Sequence, residues 1–311
     1  MKYWAFALFA VAPQVFASSS LQDVMYFPES GTFWGDSQLS HLSQSSNLVL
    51  RSNKVKQSEE DKSAWVLRQQ LNFGVLPELE MGVKLGLVFG GKIETKTVST
   101  ASTTEKKFSG LEDIELNSRY RLAKEGDIGI NWDARAAFSP SLGNYKPGTT
   151  STSGNAQRGG HQLAVGTSAG NHVQNFSWKS YLDLMFNFES TEENAQTGIE
   201  QGTYSSHMDF ELGTRAQMEF DPVTFGARLA FHHYGANDYT LKATSAKINY
   251  DSYGDLILGL DASMAVADNL VGYGGFDYSF TSDQGFKSAN TDFDVSDRSV
   301  FGFNLGAKYS F

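Results

Sequence analysis

Residues 204–220 read YSSHMDFELGTRAQMEF. The even positions carry Tyr204, Met208, Phe210, Leu212, Ala216, Met218 and Phe220, with Ser206 and Thr214 among them. The odd positions carry His207, Asp209, Glu211, Arg215, Gln217 and Glu219, with Ser205 and Gly213. Successive side chains of a strand point to opposite faces, so one face here is apolar and the other charged. A helix would scatter both sets around its circumference. Strands of soluble proteins run to about 5–6 residues. A tilted strand that crosses a bilayer needs about 9–11, and the alternation here outlasts that.

The same alternation recurs over 63–75, 79–90, 109–122, 127–138, 161–170, 172–188, 223–234, 250–266, 270–280 and 298–311, with a weaker first strand at 45–55. Short connections (76–78, 123–126, around 170–171, 221–222, 267–269) alternate with long polar ones (56–62, 91–108, 139–160, 189–203, 235–249, 281–297). Tight turns on one side and long loops on the other are the pattern of outer-membrane barrels. The expectation is an all-β fold: a transmembrane antiparallel up-and-down barrel of about 12 strands, with both termini periplasmic. Aromatic residues cluster near the strand ends, Trp65, Phe89, Phe138 and Phe280 on the long-loop side and Phe73, Tyr120 and Phe220 on the other. Such rings suit the two membrane interfaces. The last strand puts Phe301, Phe303, Leu305, Ala307, Tyr309 and Phe311 on one face and ends on Phe311. That ending resembles the signal by which outer-membrane barrels engage the barrel-assembly machinery.

Residues 1–17 (MKYWAFALFAVAPQVFA) join one lysine, a short apolar run and small residues at a cleavage site. They read as a cleaved signal peptide, not as a membrane helix. Residues 18–44, with Phe27-Pro28 and Phe33-Trp34-Gly35-Asp36, lack clear alternation and read as a periplasmic segment or partial plug. The barrel is then 45–311. Export to the outer membrane of a Gram-negative bacterium follows, with outer-membrane lipid and lipopolysaccharide as surroundings.

Composition narrows the function. The 311 residues are 40% hydrophobic, only 19% charged, and carry a formal charge of −10. The acidic balance argues against nucleic-acid binding. The absence of cysteine excludes disulfides and cysteine-ligated metal sites. The mean hydropathy of −0.33 conceals the apolar content because the two faces of each strand cancel in the average.

The stretch Gly110-Leu111-Glu112-Asp113-Ile114-Glu115-Leu116-Asn117-Ser118-Arg119-Tyr120-Arg121-Leu122 resembles the glycine-leucine-glycine-aspartate strand with a basic-tyrosine-arginine end of the phenol meta-pathway-type, transporter-like outer-membrane barrels. Residues 110–140 carry the match, and Glu112 stands where the family has glycine. The resemblance implies a channel for small hydrophobic or aromatic compounds.

The polar faces supply the lumen-lining candidates: Asp113, Glu115, Arg119, Arg121, Asp133, Arg135, Lys179, Asp183, His207, Asp209, Glu211, Arg215 and Arg228. If the turn at 123–126 sets the register, Glu115 falls opposite Arg135. Twelve strands leave a narrow pore, between the filled eight-stranded barrel and the open sixteen-stranded one. The mixed charges suit wall-bracing or a selectivity ring. No catalytic, cofactor or metal site is expected. His207 and Asp209 share a face but read as structural. The only histidine with a serine two residues on is His41, ahead of the expected barrel. Asp283, Asp292, Asp294 and Asp297 read as a solvated acidic loop, and 95–104 as a flexible Ser/Thr loop. The expected function is a channel for a small-molecule solute. The alternatives are a structural or surface-interaction barrel that works through its loops and, less favoured, an outer-membrane hydrolase.

Overall fold

The computed structural model describes residues 25–311 apart from 268, 289 and 290, so the expected signal peptide lies outside the described residues. In chain order the elements are β1 (Phe33–Leu50), β2 (Val55–Leu76), β3 (Leu79–Thr97), β4 (Ser102–Leu111), β5 (Glu115–Ala123), α1 (Glu125–Ile128), β6 (Asn131–Ser139), β7 (Gln162–Val173) and β8 (Phe176–Asn187). They continue as β9 (Ser190–Glu193), β10 (Glu200–Tyr204), β11 (His207–Phe220), β12 (Val223–Tyr234), β13 (Asn237–Leu241), β14 (Lys247–Tyr250), β15 (Tyr253–Ala267), β16 (Leu270–Thr281), β17 (Gln284–Ser288) and β18 (Thr291–Ser310). Strands β4 and β5 make one stave broken at 112–114. With β1, β2, β3, β6, β7, β8, β11, β12, β15, β16 and β18 they close a twelve-stave antiparallel barrel, sealed by β18 on β1.

The alternation sorts as barrel physics requires. Met208, Leu212, Met218 and Phe220 of β11 are exposed, whereas Asp209 and Glu211 are buried. The outward apolar set forms a belt around the wall. At the loop side it reaches Trp65, Phe89, Phe138, Phe231 and Phe280, and at the turn side Leu76, Phe220, Val266 and Phe311. Beyond Trp65 the outer face turns polar, with Asp61, Glu59 and Lys96 in one ion cluster.

Several expectations need correction. The first strand starts at Phe33 rather than 45, so 33–44 belongs to the wall. Its alternation is hidden because serines occur on both faces, Ser40 buried and Ser37 and Ser43 on the other face. The turn expected near 170–171 lies at Gln174-Asn175. The connection after β5 runs through α1 to residue 130, longer than the expected 123–126. Arg119 therefore faces Arg135 on β6, and Glu115 is not opposite Arg135 but pairs with Lys84 on its other neighbour, β3. The Ser/Thr stretch 95–104 is a hairpin tip between β3 and β4, not a loose loop. Residues 291–297 are strand, and Asp294 is held by Arg51 at 2.7 Å and Lys54 at 2.7 Å rather than solvated.

Long connections at the loop end prolong the sheet beyond the belt. β9 pairs with β10, β10 with β13, β13 with β14, β14 with β17, and β17 with β18. The 140–161 connection supplies the missing piece of this upper ring. Gly154 bridges to Phe108 of β4 and Tyr145 to Glu192 of β9. The inside of the ring is an aromatic core of Tyr239, Tyr250, Phe286 and Phe293 with Ile248 and Val295.

Candidate functional site

The lumen is crossed by ion pairs between neighbouring staves. Arg121 clasps Asp133 with Nε to Oδ1 at 2.8 Å and Nη2 to Oδ2 at 3.2 Å. Arg119 reaches Glu80 on β3 at 2.5 Å. Arg135 grips Asp183 two staves away through both carboxylate oxygens. Arg215 meets Asp261 at 2.6 Å. Arg228 donates to Glu211 at 2.5 Å, and the Tyr181 hydroxyl donates to the same carboxylate at 2.5 Å. Lys179 is buried on the same face. A buried carboxylate is tolerated only when paired and hydrogen-bonded, which explains why arginines and acids alternate around the wall.

Glycines make the room. Gly166, Gly226 and Gly259 stand directly across from Asp183, Asp261 and Asp277. A Cβ at any of them would collide with the facing carboxylate.

Segment 25–31 enters the turn end of the lumen. The carbonyls of Met25 and Tyr26 accept Nη2 of Arg121 at 2.8 Å and Nη2 of Arg119 at 2.6 Å. The Phe27 ring lies under both guanidinium groups, at 4.7 and 4.6 Å.

At mid-height towards the loop end a cavity of about 140 Å³ remains. Its apolar side is Ala64, Val66, Val88 and Phe108, with Leu42 and Ala156 against them. These inward positions on β2, β3 and β4 break the polar-in rule of the rest of the lumen. Its polar side includes Arg68, held by Glu112 through Nε (3.0 Å) and Nη2 (2.9 Å), and Lys84, held by Glu115 at 3.3 Å. Glu112, the departure from the family motif, is thus the partner of Arg68. Gly86 leaves the space for its carboxylate. Asp113, in the break between β4 and β5, pins the inward connection. Its Oδ1 accepts the Leu142 N–H at 3.1 Å, and its Oδ2 accepts the Arg158 N–H at 3.0 Å and faces Arg158 Nε at 3.4 Å.

Above the cavity, fully buried Glu192 sits among tyrosines. The Tyr204 hydroxyl donates to its Oε2 at 3.3 Å, and the Tyr239 ring packs against Tyr204 at 4.6 Å. Burial pushes its carboxyl up to about 7 even though hydrogen bonding pulls the other way.

The thirteen sequence-derived lumen residues all fall on inward positions, but not as one ring. Arg119, Arg121 and Asp133 meet near the turn end. Asp113 and Glu115 flank the cavity. His207 and Asp209 lie higher, with Nε2 and Oδ2 3.8 Å apart. Asp209 also accepts Asn187 and the Gly235 N–H at 2.8 Å each, the contacts of a brace. Sequence reading missed Lys62, Phe108, Arg158 and Glu192 because they lie in stretches read as loops. The inward apolar patch on β2 and β3 was discernible only as Ala64, Val66 and Val88 occupying positions where polar residues were due.

His41 is not ahead of the barrel. It lies on the outer face of β1, stacked on Trp65 at 4.8 Å, with Ser43 on the same face. The outward acid in nearest register, Asp61, stands across from Ser45 and pairs with Lys96 at 3.2 Å. Among the described residues no carboxylate is hydrogen-bonded to the His41 ring, whose contact is the Trp65 ring.

No family model and no curated protein matches the chain. Among solved structures it is similar to the COG4313 outer membrane channel from Pseudomonas putida F1, at 12% identity over 92% of this chain and 97% of that one, with a TM-score of 0.57. It is also similar to the transport unit of the autotransporter AIDA-I from Escherichia coli, at 11% identity over 94% and 95%, with a TM-score of 0.55. A mutant of the TodX monoaromatic hydrocarbon channel overlaps less well, at 10% identity over 93% and 92% and a TM-score of 0.43. The fold is that of outer-membrane barrels.

Proposed function

We propose that the chain is a narrow outer-membrane channel for small solutes with an apolar part. It sits in a Gram-negative outer membrane with both termini periplasmic, after removal of a signal peptide and assembly through the strand ending at Phe311. The observation that carries this reading is the cavity. An inward apolar patch has no bracing role in an otherwise ionic lumen, and it lies beside the break in the wall at 112–114. The resting state is closed at both ends, by residues 25–31 at the turn end and by the aromatic core at the loop end. Entry and exit then require one of these to move. The reading is non-enzymatic, since neither His207-Asp209 nor His41-Ser43 is arranged for turnover.

Purified protein in planar bilayers and in liposomes tests this. Small conductance steps and uptake of benzyl alcohol or a comparable solute are expected. Protein that inserts correctly but passes neither ions nor solute overturns the channel. A second reading, a surface-interaction barrel, draws on the sheet extension beyond the belt, which is hydrogen-bonded strand rather than irregular loop. Partner binding lost on replacing β13–β14, with conductance absent, would favour it.

A further inference from the structure

At mid-depth, among the described residues, the outward belt carries a single amide. On β2 the belt runs from Trp65 at the loop side to Phe73 at the turn side, with Leu67 and Leu71 exposed between them. Gln69 stands midway on the same face, also exposed. It is four residues from either end, about 10 Å along the membrane normal for a tilted strand. At this depth the other staves turn apolar side chains or small hydroxyls outward. The hydroxyls of Thr167 and Thr214 return to the backbone carbonyls of Asp133 and Lys179. Gln69 has one polar neighbour, its register partner Ser37 on β1, whose hydroxyl donates to the Gln69 Oε1 at 2.8 Å. Among the described residues nothing accepts the amide N–H groups.

Lipid tails offer no acceptor, and water is excluded at that depth, so the amide needs a protein partner. The face itself supplies the matching chemistry. A primary amide is donor and acceptor at once. Two copies inserted the same way round meet about a two-fold axis along the membrane normal, where a patch faces its own equivalent. Each Gln69 then donates to the other copy's Gln69 or Ser37. The wall beside it leaves room for this approach, because the register row continues from Ser37 to Ala307 on β18. We infer that the outward face centred on Gln69 and Ser37 is an interface between two copies of this chain within the membrane. The inference goes beyond the channel reading and does not rest on it.

Energy transfer between donor- and acceptor-labelled populations of the full chain tests this. The chain has no cysteine, so Ser99→Cys at the exposed tip between β3 and β4 gives one labelling site away from the face. In phosphatidylcholine liposomes, transfer should exceed that of random mixing and saturate as the protein-to-lipid ratio rises. Gln69→Leu should move half-saturation to a roughly tenfold higher ratio. Ser37→Ala should act in the same direction by less, and Leu212→Ala, on the opposite wall, should leave it unchanged. A leucine suits a lipid-facing position, so the urea unfolding midpoint of dilute Gln69→Leu should not fall. Transfer at the level of random mixing, which would leave the face to lipid or to another protein, overturns the inference. So does a dimer indifferent to Gln69→Leu. A lowered unfolding midpoint for that variant would make the amide a brace of its own barrel, which also overturns it.

Discussion

The turn half of the lumen and the cap at the loop end are both packed from within, with different chemistry. In the turn half the inward positions are arginines and carboxylates, each pair spanning two or three staves, with segment 25–31 laid across Arg119 and Arg121. In the cap the inward positions are Tyr204, Tyr239, Tyr250, Phe286 and Phe293 around one acid, Glu192. The reason lies in the surroundings. Inside the belt the outer face is already spent on lipid, so the staves are locked to one another from within by directional charge pairs. Above the belt the outer face is polar and meets water, so an ordinary apolar core can form on the inside. The cavity lies between these two regions, with an apolar wall of its own, Ala64, Val66, Val88 and Phe108.

This contrast can be broken from either side. The largest effect is expected from Asp133→Ala in the turn half. The side chain is 1% exposed and anchors Arg121, with Arg119 close by, and removing one partner of a buried pair costs about 3–5 kcal/mol. Urea unfolding in lipid vesicles measures it, and Asp133→Asn with a loss under about 1 kcal/mol would mean the charge is not needed.

Glu192 is the test of the cap. A carboxyl held near 7 in the fold and near the ordinary 4.5 in the unfolded chain binds more protons when folded. Cap stability is then full below about pH 4.5, falls as pH rises towards 7, and is level above, a span on the order of 3 kcal/mol. Backbone hydrogen exchange of 237–241, corrected for its intrinsic pH dependence, should be slower at pH 5 than at pH 8. Glu192→Gln should flatten that difference, and no difference in the native protein would refute the account.

Deleting 25–30, which leaves β1 intact, should raise single-channel conductance several-fold, whereas unchanged conductance would mean the segment does not obstruct the path. The smallest effect belongs to the outer face above the belt. Lys96 pairs with Asp61 at 3.2 Å but is 46% exposed, so Lys96→Ala should leave the urea unfolding midpoint essentially unchanged. A loss comparable to that of Asp133→Ala would erase the distinction between buried braces and surface pairs.

The barrel was legible wherever one face met lipid. Met208 through Phe220 and Phe301 through Phe311 announce their strands because a two-solvent surface enforces period two. The same rule fails for 33–44, 91–108 and 284–297, where both faces are polar or both are buried, so strands there looked like linker or loop. Inward direction was readable for Asp133, Arg135 and Glu211, but partner identity was not. Arg135 faces Arg119 rather than Glu115 because the register of β5 on β6 depends on the length of the 124–130 connection, which local sequence does not fix, and the two expected partners instead reach Asp183 and Lys84 on other staves.

By itself the sequence determined the class of the fold, the approximate number of staves and which side chains face inward. These follow from alternation and loop length, both local properties of the chain. Only the tertiary structure decided which charges pair, that 25–31 lies against Arg119 and Arg121, and that 140–161 joins the upper ring and brings Arg158 to the cavity beside Asp113 and Phe108. Those contacts join residues far apart in sequence, and their geometry is set by register and closure of the whole barrel.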